Sequence, residues 1–230
     1  MHTVIPMPAP PTVPVAGGGV FPVRRIYCVG RNYVEHAQEM GFSGREPPFF
    51  FMKPGDAVVP VAEGETGVID YPSLTKNFHH EIELVVAIGK GGCNITEADA
   101  FKHIYGYAVG LDMTRRDLQG EAKKQGRPWC IGKGFDQSAP IGPIHPAGVT
   151  GELTRGAITV SVNGQLRQTG DLSQLIWNVA ETIEHLSAAW ALAPGDLIFT
   201  GTPAGVAAVV AGDVMEGAIA GLGTLRVAVR

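Results

Sequence analysis

The stretch Asn77-Phe78-His79-His80-Glu81-Ile82-Glu83-Leu84-Val85-Val86-Ala87-Ile88 reads as one β-strand carrying two carboxylates. β-branched and other apolar residues fill it, which favours extended backbone over helix. Residues two apart on a strand share a face. Glu81 and Glu83 therefore stand side by side, while His80, Ile82, Leu84, Val86 and Ile88 face the other way into apolar packing. Adjacent carboxylates in an apolar strand repel each other and resist desolvation unless a cation or a shared proton compensates. A hard metal ion meets that need. An edge strand with two solvated glutamates is the alternative, because charges on edge strands also block aggregation.

Composition narrows the class. With 230 residues, 45% hydrophobic and 17% charged, the chain can bury a sizeable core. A net charge of −4 and a pI near 6.0 give no basic footprint for nucleic acid. No apolar run approaches the roughly 18 residues of a membrane span, so small molecules are the expected partners. Cys28, Cys93 and Cys130 lie far apart, against both a thiolate metal site and a disulfide framework, and a reducing cytoplasm fits. The 31 glycines and 17 prolines imply many turns and a β-rich α+β fold.

Residues 1–21 hold five prolines between Pro6 and Pro14, then Gly17-Gly18-Gly19, and are expected to form an extended arm before a catalytic body at 22–230. Arg25–Val29 is a short strand, and Asn32 is placed to cap a helix running to about Met40. On that helix His36 and Glu39 share a face. A histidine bonded to a carboxylate is a common general base, and a solvated helix face is the plainer reading. Phe49-Phe50-Phe51-Met52-Lys53, apolar on both faces, predicts a strand buried within a sheet, with Lys53 either reaching solvent or entering a cleft.

Tyr105–Leu111 is a further strand that delivers Asp112 at its end, where functional groups commonly sit. A polar helix follows from Thr114 to Gly126, with Arg116 and Gln119 on one face, and Lys133 stands between Gly132 and Gly134. Asn163-Gly164 between Ala157–Val162 and Gln165–Thr169 marks a hairpin. Asp171 or Ser173 is expected to cap a helix bearing Leu175, Ile176, Val179, Ile183, Leu186 and Trp190 at helical spacing. Gly201-Thr202-Pro203, just after the buried run Leu197–Thr200, offers backbone N–H groups and a hydroxyl suited to a carboxylate, or forms a plain turn.

In order, Val29-Gly30-Arg31-Asn32-Tyr33, His36 with Glu39, Lys53-Pro54, His80-Glu81-Ile82-Glu83-Leu84, Leu111-Asp112-Met113-Thr114, Arg116-Asp117, Lys133 and Thr200-Gly201-Thr202-Pro203 resemble the motifs of the fumarylacetoacetate hydrolase family over about residues 22–230. The resemblance implies packed, partly rolled mixed β-sheets with few helices, a homodimer, and one Mg²⁺ or Mn²⁺ per subunit. It places the metal on Glu81, Glu83 and Asp112, the catalytic base on His36 with Glu39, and Arg31, Lys53, Arg116, Gln119, Lys133 and Thr202 around the substrate. Lys133, Gln119 or the Thr202 region would hold an oxyanion. The implied reaction is hydrolysis of a carbon–carbon bond in a 2,4-dioxo acid, in which a divalent ion stabilises the departing pyruvyl group. The runs Phe49–Pro54 and Phe78–Glu81 resemble most the members that convert fumarylpyruvate to fumarate and pyruvate in the gentisate route of aromatic degradation. Oxaloacetate decarboxylation, acetylpyruvate hydrolysis, and an isomerase or hydratase of a related catabolic route share the motifs and remain alternatives. A non-catalytic metal-stabilised binding protein would leave the His36–Glu39 pair without purpose.

Overall fold

A computed structural model describes residues 3–34 and 45–230. An eight-stranded mixed sheet runs in the order Phe49–Lys53, Ile26–Gly30, Leu197–Phe199, Ile82–Ile88, Ile104–Leu111, Ala139–Ile141, Val58–Pro60, with His145–Pro146 also pairing on Ile104–Leu111. Against it lies a five-stranded sheet ordered Gln165–Asp171, Ala157–Val162, Val214–Ile219, Gly223–Val229, Thr66–Ile69. Thr114–Arg115, Phe78–His80 and Ala207–Val209 make a short third sheet. The fold is β-rich with short helices, as the composition predicts.

The strand Ile82–Ile88 is central, and every one of its residues is buried. One face, Ile82, Leu84, Val86 and Ile88, meets Ile158, Val160, Met215, Leu225 and Val227 of the five-stranded sheet. The opposite face continues from Glu83 through Val85 and Ala87, which join Ile26, Cys28, Leu197 and Phe199 in a second core. Val13, Phe21 and Val23 belong to that second core, because Thr12–Pro14 and Val20–Pro22 pair as a hairpin around Gly17-Gly18-Gly19, each glycine at positive φ. Thus the end of the proline-rich segment is a structural cover for the sheet.

Three local expectations are corrected. The run from Phe78 to Ile88 is not one strand: it breaks at Glu81, where the chain passes from the short sheet into the large one. Phe49–Lys53 is an edge strand, half-buried rather than enclosed, because it pairs only with Ile26–Gly30. The helix that Asn32 is expected to cap lies largely outside the described residues; within them, the Asn32 amide donates to Thr200 O and Trp177 O, and its oxygen accepts from Trp177 N–H. Asp171 caps only a single turn at Leu172–Gln174, and the helix proper is Val179–Ala189, begun by a capping box between Asn178 and Glu181.

Candidate active site

Three acidic side chains converge where strands end. Glu83 is the second residue of the central strand, Glu81 lies at the break before it, and Asp112 follows the end of Ile104–Leu111, whose Leu111 pairs with Ile82. A hydrogen bond from Asp112 N–H to Glu81 O, 2.8 Å, locks the two break points together. One oxygen from each of Glu81, Glu83 and Asp112 lies within 4.8 Å of the others, and all three residues are buried. Burial raises the Glu83 carboxyl well above its ordinary range, and the charges of Asp112 and Glu81 push it further. Its Oε2 accepts from Gly201 N–H at 2.7 Å. The glycine loop does hold a carboxylate, but it is the protein's own.

Cations ring this trio. Lys133, 2% exposed, places Nζ 2.8 Å from Glu81 Oε2 and 2.7 Å from Asp112 Oδ2. Burial alone would push its ammonium down, but Asp112 and Glu81 outweigh it and hold the group charged. Lys53 Nζ lies 2.8 Å from Asp112 Oδ1 and donates to the carbonyls of Met113 and Lys133. The contact with Asp112 is an ion pair without hydrogen-bond alignment, so among the described residues Oδ1 has no aligned donor and keeps lone-pair capacity for a cation. An all-oxygen set with an under-satisfied Asp112 oxygen and a carboxyl strained by its neighbours fits a hard divalent ion such as Mg²⁺ or Mn²⁺.

The cavity over the trio is lined by Glu81, Glu83, Arg31, Arg116, Gln119, Lys133 and Thr202, with Phe51 and Trp129 as its apolar wall. Arg116 opens the helix Arg116–Lys124; it ion-pairs with Glu81 and donates to Gln119 Oε1 at 2.6 Å, as their shared helical face predicts. His79 stands behind it, 3.4 Å from Arg116 Nε, with Nε2 at 2.8 Å from Asn77 Oδ1. Burial, helped by the Arg116 charge, lowers His79 to about 4, so it is neutral and accepts from the guanidinium. Arg31 follows Gly30 at φ 56°, and its guanidinium lies 4.9 Å from the Phe49 ring. A Cβ on Gly30 would sit 2.0 Å from Phe49 Cζ, so this aromatic approach requires glycine. Phe49 meets Trp129 edge-on at 5.2 Å, and Trp129 meets Phe51 at 5.8 Å. A wider groove of about 580 Å³ extends the wall past Arg127 to Trp190.

The structure brings Glu81, Glu83, Arg31, Arg116, Gln119, Lys133 and Thr202 to one cavity, with Asp112 against Lys133 beneath them. Lys53 is not in its lining; its ammonium is spent on Asp112 and two carbonyls. His36 and Glu39 lie outside the described residues. The aromatic wall escaped sequence reasoning, although Trp129 beside the Gly132-Lys133-Gly134 loop was a usable sign. His79 and Gln168 also escaped it.

The sequence profile described as fumarylacetoacetate (FAA) hydrolase C-terminal matches residues 25–230. The crystal structure of fumarylpyruvate hydrolase from Pseudomonas aeruginosa, in complex with Mn²⁺ and pyruvate, is 58% identical, superposes with a TM-score of 0.98, and 99% of each chain is covered. A fumarylpyruvate hydrolase of Ralstonia sp is 47% identical over 80% of this chain and 93% of its own. A mitochondrial oxaloacetate decarboxylase of Dictyostelium discoideum is 41% identical over 87% and 91%. The chain belongs to the fumarylacetoacetate hydrolase family.

Proposed function

We propose that this member of the family is a metal-dependent hydrolase that cleaves fumarylpyruvate, a 2,4-dioxo acid, to fumarate and pyruvate. The observation that carries the reading is the buried trio of Glu81, Glu83 and Asp112, an oxygen cage with three cations arranged behind and beside it. Its relation to a fumarylpyruvate hydrolase holding Mn²⁺ and pyruvate supports the substrate class. The same reading carries one Mg²⁺ or Mn²⁺ per subunit, a homodimer, and a place in aromatic catabolism in the cytoplasm. Among the described residues no helix is long and apolar enough to cross a membrane.

Glu81, Glu83 and Asp112 would hold a divalent ion, which would supply Lewis acidity to stabilise a carbanionic leaving group. The chain's own groups do the rest. His36, oriented by Glu39, removes a proton from water as its oxygen adds to the distal carbonyl carbon. The bond between that carbon and the pyruvyl methylene then breaks, the electron pair stays with the pyruvyl unit, and a proton returns to the methylene. Lys133 and Gln119 stand where negative charge gathers on the attacked carbonyl oxygen. Thr202 contacts the pyruvyl carboxylate, and Arg31 pairs with the far carboxylate of the fumaryl arm along the Phe49, Phe51 and Trp129 wall.

Turnover of fumarylpyruvate, acetylpyruvate and oxaloacetate by the Mn²⁺-loaded protein tests this, with His36→Ala alongside. Fumarylpyruvate should be the best substrate and chelation should abolish its cleavage. His36→Ala should lower hydrolysis by about 10²–10⁴, the usual share of general base catalysis, with oxalate affinity unchanged. Faster release of CO₂ from oxaloacetate than cleavage of either acylpyruvate would replace the hydrolase reading with a decarboxylase.

A further inference from the structure

We propose that Gln168 is a positioning residue that fixes the direction of the Thr202 hydroxyl proton, so that Thr202 donates to the carboxylate of the substrate. The inference rests on the placement of Thr202 against substrate made above. Gln168 is fully buried in the strand Gln165–Asp171 and reaches across from the second sheet. Its Oε1 accepts from Ile82 N–H at 3.1 Å and faces His80 Nδ1 at 2.9 Å. Its Nε2 donates to Thr202 Oγ1 at 2.8 Å and to Pro203 O at 2.7 Å.

A side-chain amide can be turned by half a revolution without changing its shape, so its orientation needs an argument. Two of the four partners are backbone groups with only one role each. Ile82 N–H can only donate, so Oε1 faces it; Pro203 C=O can only accept, so Nε2 faces that. The rest follows from this anchoring. His80 Nδ1 faces an acceptor and therefore carries the ring hydrogen, which leaves the buried Nε2 bare, and that atom has no hydrogen-bond partner among the described residues. Thr202 Oγ1 faces an N–H and therefore accepts, so its own hydrogen is not spent on Gln168. Thr202 lines the cavity beside Glu83, Arg31 and Lys133. Its hydroxyl is thus held as a donor for an anionic oxygen bound there.

The same amide also ties down Ile82, the residue between Glu81 and Glu83. A purely structural strut would disturb the metal ligands and the substrate contact alike. The two roles separate in a double-mutant cycle on the Mn²⁺-loaded protein, read as the affinity for oxalate, a two-carboxylate mimic of the pyruvyl end, with Mn²⁺ affinity measured in parallel by calorimetry.

Thr202→Val should weaken oxalate by about tenfold, the scale of one hydrogen bond to a charged group. Thr202→Ser should restore it. Gln168→Leu should weaken oxalate about five- to tenfold, leave Mn²⁺ affinity within about twofold, and add nothing further in the Thr202→Val background. An equal loss in both backgrounds, or a matching loss of Mn²⁺ affinity, would overturn the positioning role. Oxalate binding untouched by Thr202→Val would instead remove Thr202 from the substrate contact, and the inference with it. Should Gln168→Leu fold poorly, Gln168→Glu keeps the acceptor toward Ile82 and His80 but turns an acceptor toward Thr202. Its oxalate loss should again vanish in the Thr202→Val background, and persistence there would count against the role.

Discussion

Lys53 separates a brace from a substrate contact, and Lys53→Met tests which it is. The ammonium of the buried Lys53 lies 2.8 Å from Asp112 Oδ1 and donates to Met113 O and Lys133 O, while methionine keeps the length of the stem and none of the donors. Removing one partner of a buried ion pair costs about 3–5 kcal/mol. Asp112 keeps Lys133 at 2.7 Å, which takes the figure to the lower end. Two carbonyls left without their donor add about 1 kcal/mol between them after repacking, for a total near 4 kcal/mol. For a chain of this size, about 2–4 °C per kcal/mol translates that to a fall in Tm of roughly 8–16 °C. Thermal unfolding in chelator, followed by circular dichroism, measures it. Excess Mn²⁺ should recover part of the loss, because a cation bound only by the native state both stabilises it and answers the charge left on Asp112. A fall below about 3 °C, combined with a selective loss of fumarylpyruvate turnover, would show that the side chain serves the substrate and that the bracing argument is wrong.

Two further outcomes follow from the cavity wall and from His79. Arg31→Ala should lower kcat/KM for fumarylpyruvate at least tenfold more than for acetylpyruvate, which has no far carboxylate; equal losses on steady-state assay would free Arg31 of that pairing. Because His79 is held near 4 when folded and titrates near 6.5 when unfolded, the unfolded chain binds the extra proton first as pH falls. Stability should therefore decline from about pH 6.5 to pH 4 and level off below, by about 1–2 kcal/mol after allowance for its partial solvent access. Urea midpoints across that range should lose this share of the slope in His79→Gln, and an identical slope in the variant would assign the acid sensitivity elsewhere.

What was legible in the sequence was what alternation and local chemistry encode. The facing of Ile82, Leu84, Val86 and Ile88 into a core follows from a period of two, and the Asn163-Gly164 hairpin follows from the left-handed backbone both residues adopt, φ 51° and 77°. The strand break at Glu81 was hidden, because nothing local tells a chain to leave one sheet for another at that residue. Asp171 misled for a different reason: two capping boxes stand in series, and only Asn178 is followed by enough apolar periodicity to extend a helix. Gln168 was illegible through the same rule that served elsewhere. Leu166 and Gln168, two apart, should share a face, yet Leu166 is 63% exposed and Gln168 is fully buried. The register explains it, since Val160 pairs with Gln168 and Ser161 with Leu166, so Arg167 is an extra residue that turns the strand between them.

The chain of contacts behind Glu83 shows why a trio so costly to bury can be held in place. Glu83 Oε2 is fixed by Gly201 N–H, and Gly201 reaches it at φ +101°, a conformation that side chains resist. A Cβ there would also meet Asn32 Cβ at 2.6 Å. Asn32 closes this approach by bonding Thr200 O at 2.8 Å on one side and Trp177 on the other, so the loop after Leu197–Phe199, the end of Ile26–Gly30 and the segment leading into Val179–Ala189 are clamped to one another. The loop that fixes Glu83, the strand before Asn32 and the segment leading into Val179–Ala189 are thus held together at one buried amide, so the placement of this costly carboxylate is set by three elements at once.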